Sequence, residues 1–193
     1  IGSVDPNSKV SGKGIQILKD AGVDVVYGVL ADKCDKLNKR FFINQLKNRP
    51  YIIIKYAQTK DGFIARDDFS SKWISNEESR KLVHKWRAEE DGIMVATNTA
   101  KYDNPNLNVR LVKGNNPIRF VLDKDLKLPL NLNLFNDGQA LTYIIHDKNI
   151  SLGSRENRTL KSIPINFKNK NWLNKLFFKI FKLDVYSIII EGG

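Results

Sequence analysis

The sequence predicts an α/β fold on a mostly parallel sheet flanked by helices, and three observations carry that expectation. Short apolar runs recur at residues 51–57, 92–97, 118–123, 141–146 and 186–191. Most are continuous rather than alternating, as strands covered on both faces require. Between them lie segments of helical spacing or of turn-forming composition, the rhythm of strand–helix–strand units.

Taken in order, Ser11 is a candidate N-cap for a helix carrying Ile15, Leu18 and Ala21, and Gly22 offers its stop. The β-branched run 23–29 then predicts a strand. Residues 31–46 have a helical pattern, with Leu37, Phe41 and Phe42 on one side, and Pro50 ends that region. The proline divides the chain into a first unit, 1–48, and a second, 49–193. Within the second, Ser75 and Glu78 match an S-x-x-E capping box ahead of a helix whose stripe is Leu82, Val83 and Trp86. A later helix places Leu173, Leu176, Phe177 and Ile180 on one face. Residues 123–139 and 147–162 read as surface connections rich in Asn, Asp, Gly and Ser, and 97–110 reads as an open polar loop.

Composition narrows the function classes. At 193 residues with 41% hydrophobic content, the chain is long enough for one sizeable domain or one domain and part of another. The net charge of +11 comes from scattered lysines rather than a basic stripe. That pattern argues against a nucleic-acid partner and suits a phosphorylated small molecule. No apolar run approaches the ~20 residues that span a bilayer, and the first residues lack a secretory pattern. No membrane partner is expected, and the expected location is cytoplasmic. With one cysteine, Cys34, and two histidines, the chain has neither an intrachain disulfide nor a thiolate cluster for zinc.

The predicted strands end in polar residues: Lys55 and Gln58, Thr97 and Asn98, Asp123, His146 and Glu191. In an open parallel sheet these carboxyl ends share one edge, where ligands bind. Lys55 and Glu191 stand out because each follows a run of isoleucines. Lys55 shares a sheet face with Ile53 and Ala57, so it either reaches the rim or is held by an anion. Glu191 must be paired, hydrogen-bonded or protonated if buried. The two glycines after it permit a tight turn. Ser70, Ser71, Lys72 and Trp73 suit a polar ligand with a planar ring, and Thr99, Asp103 and Arg110 occupy the polar loop. Arg87 either joins Arg110 as a phosphate fork or pairs with Glu90 or Asp91 on its own helix.

Together, "KYAQTKDGFIA", "SSKWIS", "LVHKWRAEEDGIMVATNTAKYDNPNLNVR", "RFVLD" and "IIIEGG" resemble the reductase domain of the bifunctional riboflavin-biosynthesis deaminase/reductase, a relative of the dihydrofolate reductase fold. The front, "DPNSKVSGKGIQILKDAGVDVVYGVL", resembles the end of the same family's cytidine-deaminase-like domain, with Ser8 where a second proline is usual. Zinc-binding H-x-E and P-C-x-x-C elements are absent, so the resemblance implies zinc only in a deaminase portion outside this chain. It implies NADPH-dependent reduction of 5-amino-6-(5-phosphoribosylamino)uracil by an assembly of two or more copies. By the same resemblance, Ala57, Trp73, Thr99 and Asp103 match cofactor-contacting positions, and Ser71, Arg87, Leu107, Arg110 and Glu191 match substrate-contacting ones. Lys55, Asp103 and Glu191 are then the expected polar centre of hydride transfer, with Arg87 and Arg110 on the phosphate. Two alternatives have different expectations: another dihydrofolate-reductase-like pyrimidine or pterin reductase would not need the deaminase-like front, and a basic nucleic-acid-binding module would mass its cations.

Overall fold

Continuous apolar runs with polar ends become the strands of a single sheet. The computed structural model describes residues 1–68 and 74–192. The strands are β1 (Tyr51–Lys55), β2 (Gly92–Ala96), β3 (Ile118–Leu122), β4 (Thr142–Asp147), β5 (Leu160–Ile165) and β6 (Ser187–Glu191), in the order β1-β6-β2-β3-β4-β5. Every pairing is parallel. All the carboxyl ends therefore lie along one edge.

Helical segments pack on both faces of the sheet, and others lie outside its two cores. They are α1 (Lys13–Asp20), α2 (Ala31–Leu37), α3 (Lys39–Lys47), α4 (Glu77–Glu89), α5 (Thr97–Asp103), α6 (Asn133–Asn136) and α7 (Trp172–Phe181). Alternate strand residues enter opposite cores. Ile93, Val95, Val121, Ile144 and Ile189 pack with Leu128, Leu132, Leu134 and Phe135 on one face. Met94, Phe120, Tyr143, Ile145 and Ile188 pack with Leu176, Phe177 and Ile180 of α7 on the other. Leu173, expected in that stripe, is 46% exposed.

Several expectations need correction. The run 23–29 forms no strand: it hydrogen-bonds to the chain's first residue, through Ile1 N to Val26 O and Val29 N to Ile1 O, and at its ends to Leu18 O and Ala31 N. Without a neighbouring strand there is no ladder to join. Gly12, in the left-handed conformation, replaces Ser11 as the cap of α1. The helical segment 31–46 breaks at Asn38 into α2 and α3, which leaves Leu37 85% exposed. Conversely, β5 emerges from a stretch read as surface connection. It is an edge strand, and Pro164 is tolerated there because the missing N–H has no second neighbour to serve. The connection 123–139 is not a surface loop either. Leu128, Leu132, Leu134 and Phe135 are buried and form the cover of one sheet face.

That cover is pinned by charge. Arg119, near the amino end of β3, is fully buried and donates two hydrogen bonds of 2.8 Å to the carboxylate of Asp137. Burial pushes the Asp137 carboxyl upward, but the Arg119 fork and the Gln139 N–H outweigh it, and its pKa lies below the usual value. Asp123 accepts from the N–H groups of Lys127 and Leu128 and holds the start of the same segment. Replacing Asp137 by Ala leaves a buried guanidinium unpaired. The expected loss is about 3–5 kcal/mol, the scale for breaking a buried pair, read as a lower urea midpoint.

Candidate active site

The site forms where β1 and β6 end side by side. Lys55 and Glu191 are register partners at the last position of their strands, on the same face as Ile53 and Ile189. Lys55 Nζ lies 3.7 Å from Glu191 Oε2, so the lysine is held by an anion supplied by the protein. Arg87 approaches from α4 and grips the same carboxylate in a fork: Nε to Oε1 at 2.8 Å and Nη2 to Oε2 at 2.7 Å. The Glu191 side chain is 6% exposed and that of Arg87 13%. Burying a carboxylate there is acceptable because two cations and parallel N–H bonds replace water.

Helix α4 presents Arg87 because it turns a polar face toward the edge. Asn76, not Ser75, is its N-cap, accepting from Ser79 N at 2.9 Å. Leu82 and Trp86 are exposed, and the inward positions are Val83, His84, Arg87 and Ala88. Arg80, His84 and Arg87 follow one another at four and three residues, a polar stripe visible at helical spacing in the sequence. Arg87 pairs with neither Glu90, which takes Arg40, nor Asp91, which accepts from Tyr186 and Ser187 backbone N–H groups.

The polar segment 97–110 begins as α5 rather than as an open loop. Seven residues are too few to show periodicity, and Ala100 alone is buried. Thr97 Oγ1 donates to Leu122 O and ties the helix to β3. Leu107 follows with a left-handed backbone, φ 47°, and a buried side chain. A non-glycine residue in that region costs of order 1–3 kcal/mol. Its neighbour Asn108 offers a carbonyl to Arg87 Nη1 at 3.4 Å and a side-chain oxygen to Arg110 Nη1 at 2.9 Å.

These elements wall a cleft of about 1170 Å³ at the carboxyl edge. Lys55, Ala57, Arg87, Thr99, Asp103, Leu107, Arg110 and Glu191 all line it. Ser71 and Trp73 lie outside the described residues. Asp123 and His146, polar strand ends, do not line the cleft. Lys60, Arg66 and Tyr102 do, along with the 59–63 turn, where Gly62 has φ 90° and Thr59 accepts and donates across to Phe63. Gly192 also has a positive φ, and a Cβ there would sit 2.7 Å from Thr99 Oγ1. Only bare backbone fits between β6 and α5.

A model of the RibD C-terminal domain matches residues 50–193. The chain belongs to the RibD C-terminal domain family. Among its relatives, the riboflavin biosynthesis protein RibD of Aquifex aeolicus is 37% identical over 196 residues, covering 100% of this chain and 54% of that protein. A solved deaminase/reductase from Thermotoga maritima superposes with a TM-score of 0.80 at 29% identity, covering 100% of this chain and 54% of that one. Acinetobacter baumannii RibD gives a TM-score of 0.80, also at 29% identity, with the same coverage. The chain thus spans about half the length of the RibD relatives it matches. The RibD sheet, mostly parallel and flanked by helices, is the fold expected from the strand pattern. Among the described residues no helix is long and apolar enough to cross a membrane.

His84 was not among the expected site residues, and it contacts the backbone of Arg110. It is 3% exposed, and its Nδ1 accepts the backbone N–H of Arg110 at 3.3 Å. Accepting there requires a neutral ring with its proton on Nε2. Burial, then the charges of Arg87 and Arg110, lower its pKa from 6.5 to about 4. The unfolded ring takes a proton below 6.5 while the folded ring resists until about 4. Folding stability from this residue is therefore complete above pH 6.5 and lost as pH falls toward about 4. Denaturation midpoints across that interval should fall more steeply for the wild type than for His84→Gln, which cannot titrate.

Proposed function

We propose that this chain is the reductase part of a riboflavin-biosynthesis deaminase/reductase. In this reading its cleft reduces 5-amino-6-(5-phosphoribosylamino)uracil to the phosphoribitylamino compound with NADPH. The observation that carries the reading is the Lys55–Glu191–Arg87 cluster at adjacent strand ends, inside the large cleft of a RibD-family chain. The Thermotoga maritima relative is named for deamination of the preceding diaminopyrimidine and for this reduction. Its similarity extends over the whole chain, which supports reading residues 1–48 as the end of a deaminase domain and 49–193 as the reductase domain. In this reading any zinc would be held by the rest of that deaminase domain and not by this chain.

The residues present fit a nicotinamide dinucleotide. Pockets for one small ligand run to roughly 300–1,000 Å³, and this cleft, at about 1170 Å³, has room for cofactor and substrate together. Ala57, Thr99 and Asp103 line it beside the bare backbone of Gly192, where a flat ring can approach closely. Lys60 and Arg66 bring cations for the cofactor's phosphates. When bound, NADPH supplies the hydride.

The chain's own groups supply orientation and charge. An opened, iminium-like sugar needs a proton donor and a counter-charge near C1. The Lys55 ammonium, 3.7 Å from Glu191, offers N–H donors at the cleft wall. Glu191, gripped by Arg87, serves as an acceptor and fixed negative charge. Asp103 is exposed on the same cleft and adds a second carboxylate. Arg87 spends Nε and Nη2 on Glu191, which leaves Arg110 as the freer fork for the substrate phosphate.

The direct test is NADPH oxidation with the phosphoribosylaminouracil substrate, by this chain and by one extended beyond Gly193. Absence of oxidation by both overturns the reading. Glu191→Gln should lower kcat by about 100-fold, within the range for losing positioned acid–base chemistry, with NADPH affinity little changed. Arg110→Ala should raise the KM for the phosphorylated substrate; an unchanged KM removes it from the phosphate site.

A further inference from the structure

We infer that Asn108 is a positioning residue that presets the Arg110 guanidinium for an anion, through a hydrogen-bonded chain running out from the buried Arg119. Naming that anion as the substrate phosphate rests on the proposed reductase function. The geometry does not.

The chain starts with Arg119, fully buried in β3, whose fork fixes Asp137. Asp137 Oδ1 accepts the backbone N–H of Gln139 at 2.9 Å. Gln139 Oε1 accepts from Asn108 Nδ2 at 2.9 Å, and Asn108 Oδ1 accepts from Arg110 Nη1 at 2.9 Å. A second thread ties the same loops: Asn116 donates to Gln139 O and accepts from Val109 N. The amide of Asn108 is thus oriented at both ends, donor toward Gln139 and acceptor toward Arg110. Its residue is 9% exposed, although Arg110 and Gln139 on either side of it are exposed.

Arg110 is consequently held at two points. His84 Nδ1 fixes its backbone N–H and Asn108 Oδ1 takes one guanidinium hydrogen. A guanidinium has five donors, and Arg110 lines the cleft with only Nη1 bonded among the described residues, so Nε and Nη2 remain for a ligand. Long cationic side chains lose substantial rotamer entropy when they fix a ligand. An arginine already held by a neutral amide has lost that freedom before the ligand arrives, without surrendering its charge. An aspartate at this position would hold the arginine equally well and cancel the attraction.

Calorimetric titration with ribose 5-phosphate tests the idea on the whole chain, with Arg110→Ala as the reference loss. Asn108→Ala should weaken ribose 5-phosphate binding by about tenfold, the scale of one hydrogen bond to a charged group. It should raise the KM for phosphoribosylaminouracil while leaving kcat and the NADPH KM near wild-type values. Gln139→Ala should act in the same direction and less strongly. Asn108→Asp keeps an oxygen for the guanidinium, so it should preserve the melting temperature better than Asn108→Ala and still lose ribose 5-phosphate affinity. Unchanged ribose 5-phosphate affinity in Asn108→Ala, or no binding by the wild type, overturns the inference. If neither this chain nor the one extended beyond Gly193 oxidises NADPH but Asn108→Ala and Arg110→Ala both weaken ribose 5-phosphate binding, the reductase reading fails and the role of Asn108 stands.

Discussion

The fork between Arg87 and Glu191 is the constraint on which the site depends. A carboxylate following three isoleucines at the end of a central strand has little water to turn to. Its stability requires a cation delivered from elsewhere, and α4 delivers it. The pairing therefore fixes more than two side chains. It sets how far α4 slides along the sheet and holds Lys55 across the strand pair. Through the carbonyl of Asn108, it also draws the loop after α5 against the same edge. The cleft takes its shape from these attachments.

A second fork, Arg119 with Asp137, works near the opposite end of the strands. Arg119 is the second residue of β3, whereas Glu191 is the last of β6. One pair secures the leucine-rich cover of a sheet face and the other secures the carboxyl edge. The two are connected by neutral amides, Gln139 and Asn108, rather than by further charges. Amides transmit direction without altering net charge.

Much of this was legible in the sequence. The strands around 51–55, 92–96, 118–122, 142–147 and 187–191 showed themselves because isoleucine, valine and phenylalanine runs end abruptly in polar residues. Lys55 and Glu191 stand out for the same reason. What misled was local composition. Residues 126–134 carry leucine at every second position, a buried face disguised by intervening Lys, Pro and Asn. The valines at 23–29 have strand propensity but no neighbouring ladder, and propensity alone does not make a sheet. Leu82 and Trp86 suggested an apolar stripe, yet α4 turns its Arg80–His84–Arg87 side inward because the edge it meets is charged. Asn108 had no local signal at all. Its role comes from Gln139, 31 residues away.

The strand order has a consequence for how the molecule comes into being. β1 lies beside β6, so Tyr51 waits for Ser187, and β6 also separates β1 from β2. Pairings so distant along a chain close slowly, because loop entropy is spent before the contact rewards it. During synthesis, β2, β3, β4 and β5 can assemble in sequence while β1 stands without a partner. Only when β6 slots between β1 and β2 do Lys55, Arg87 and Glu191 meet. Before that insertion, each of the three is an unmatched charge.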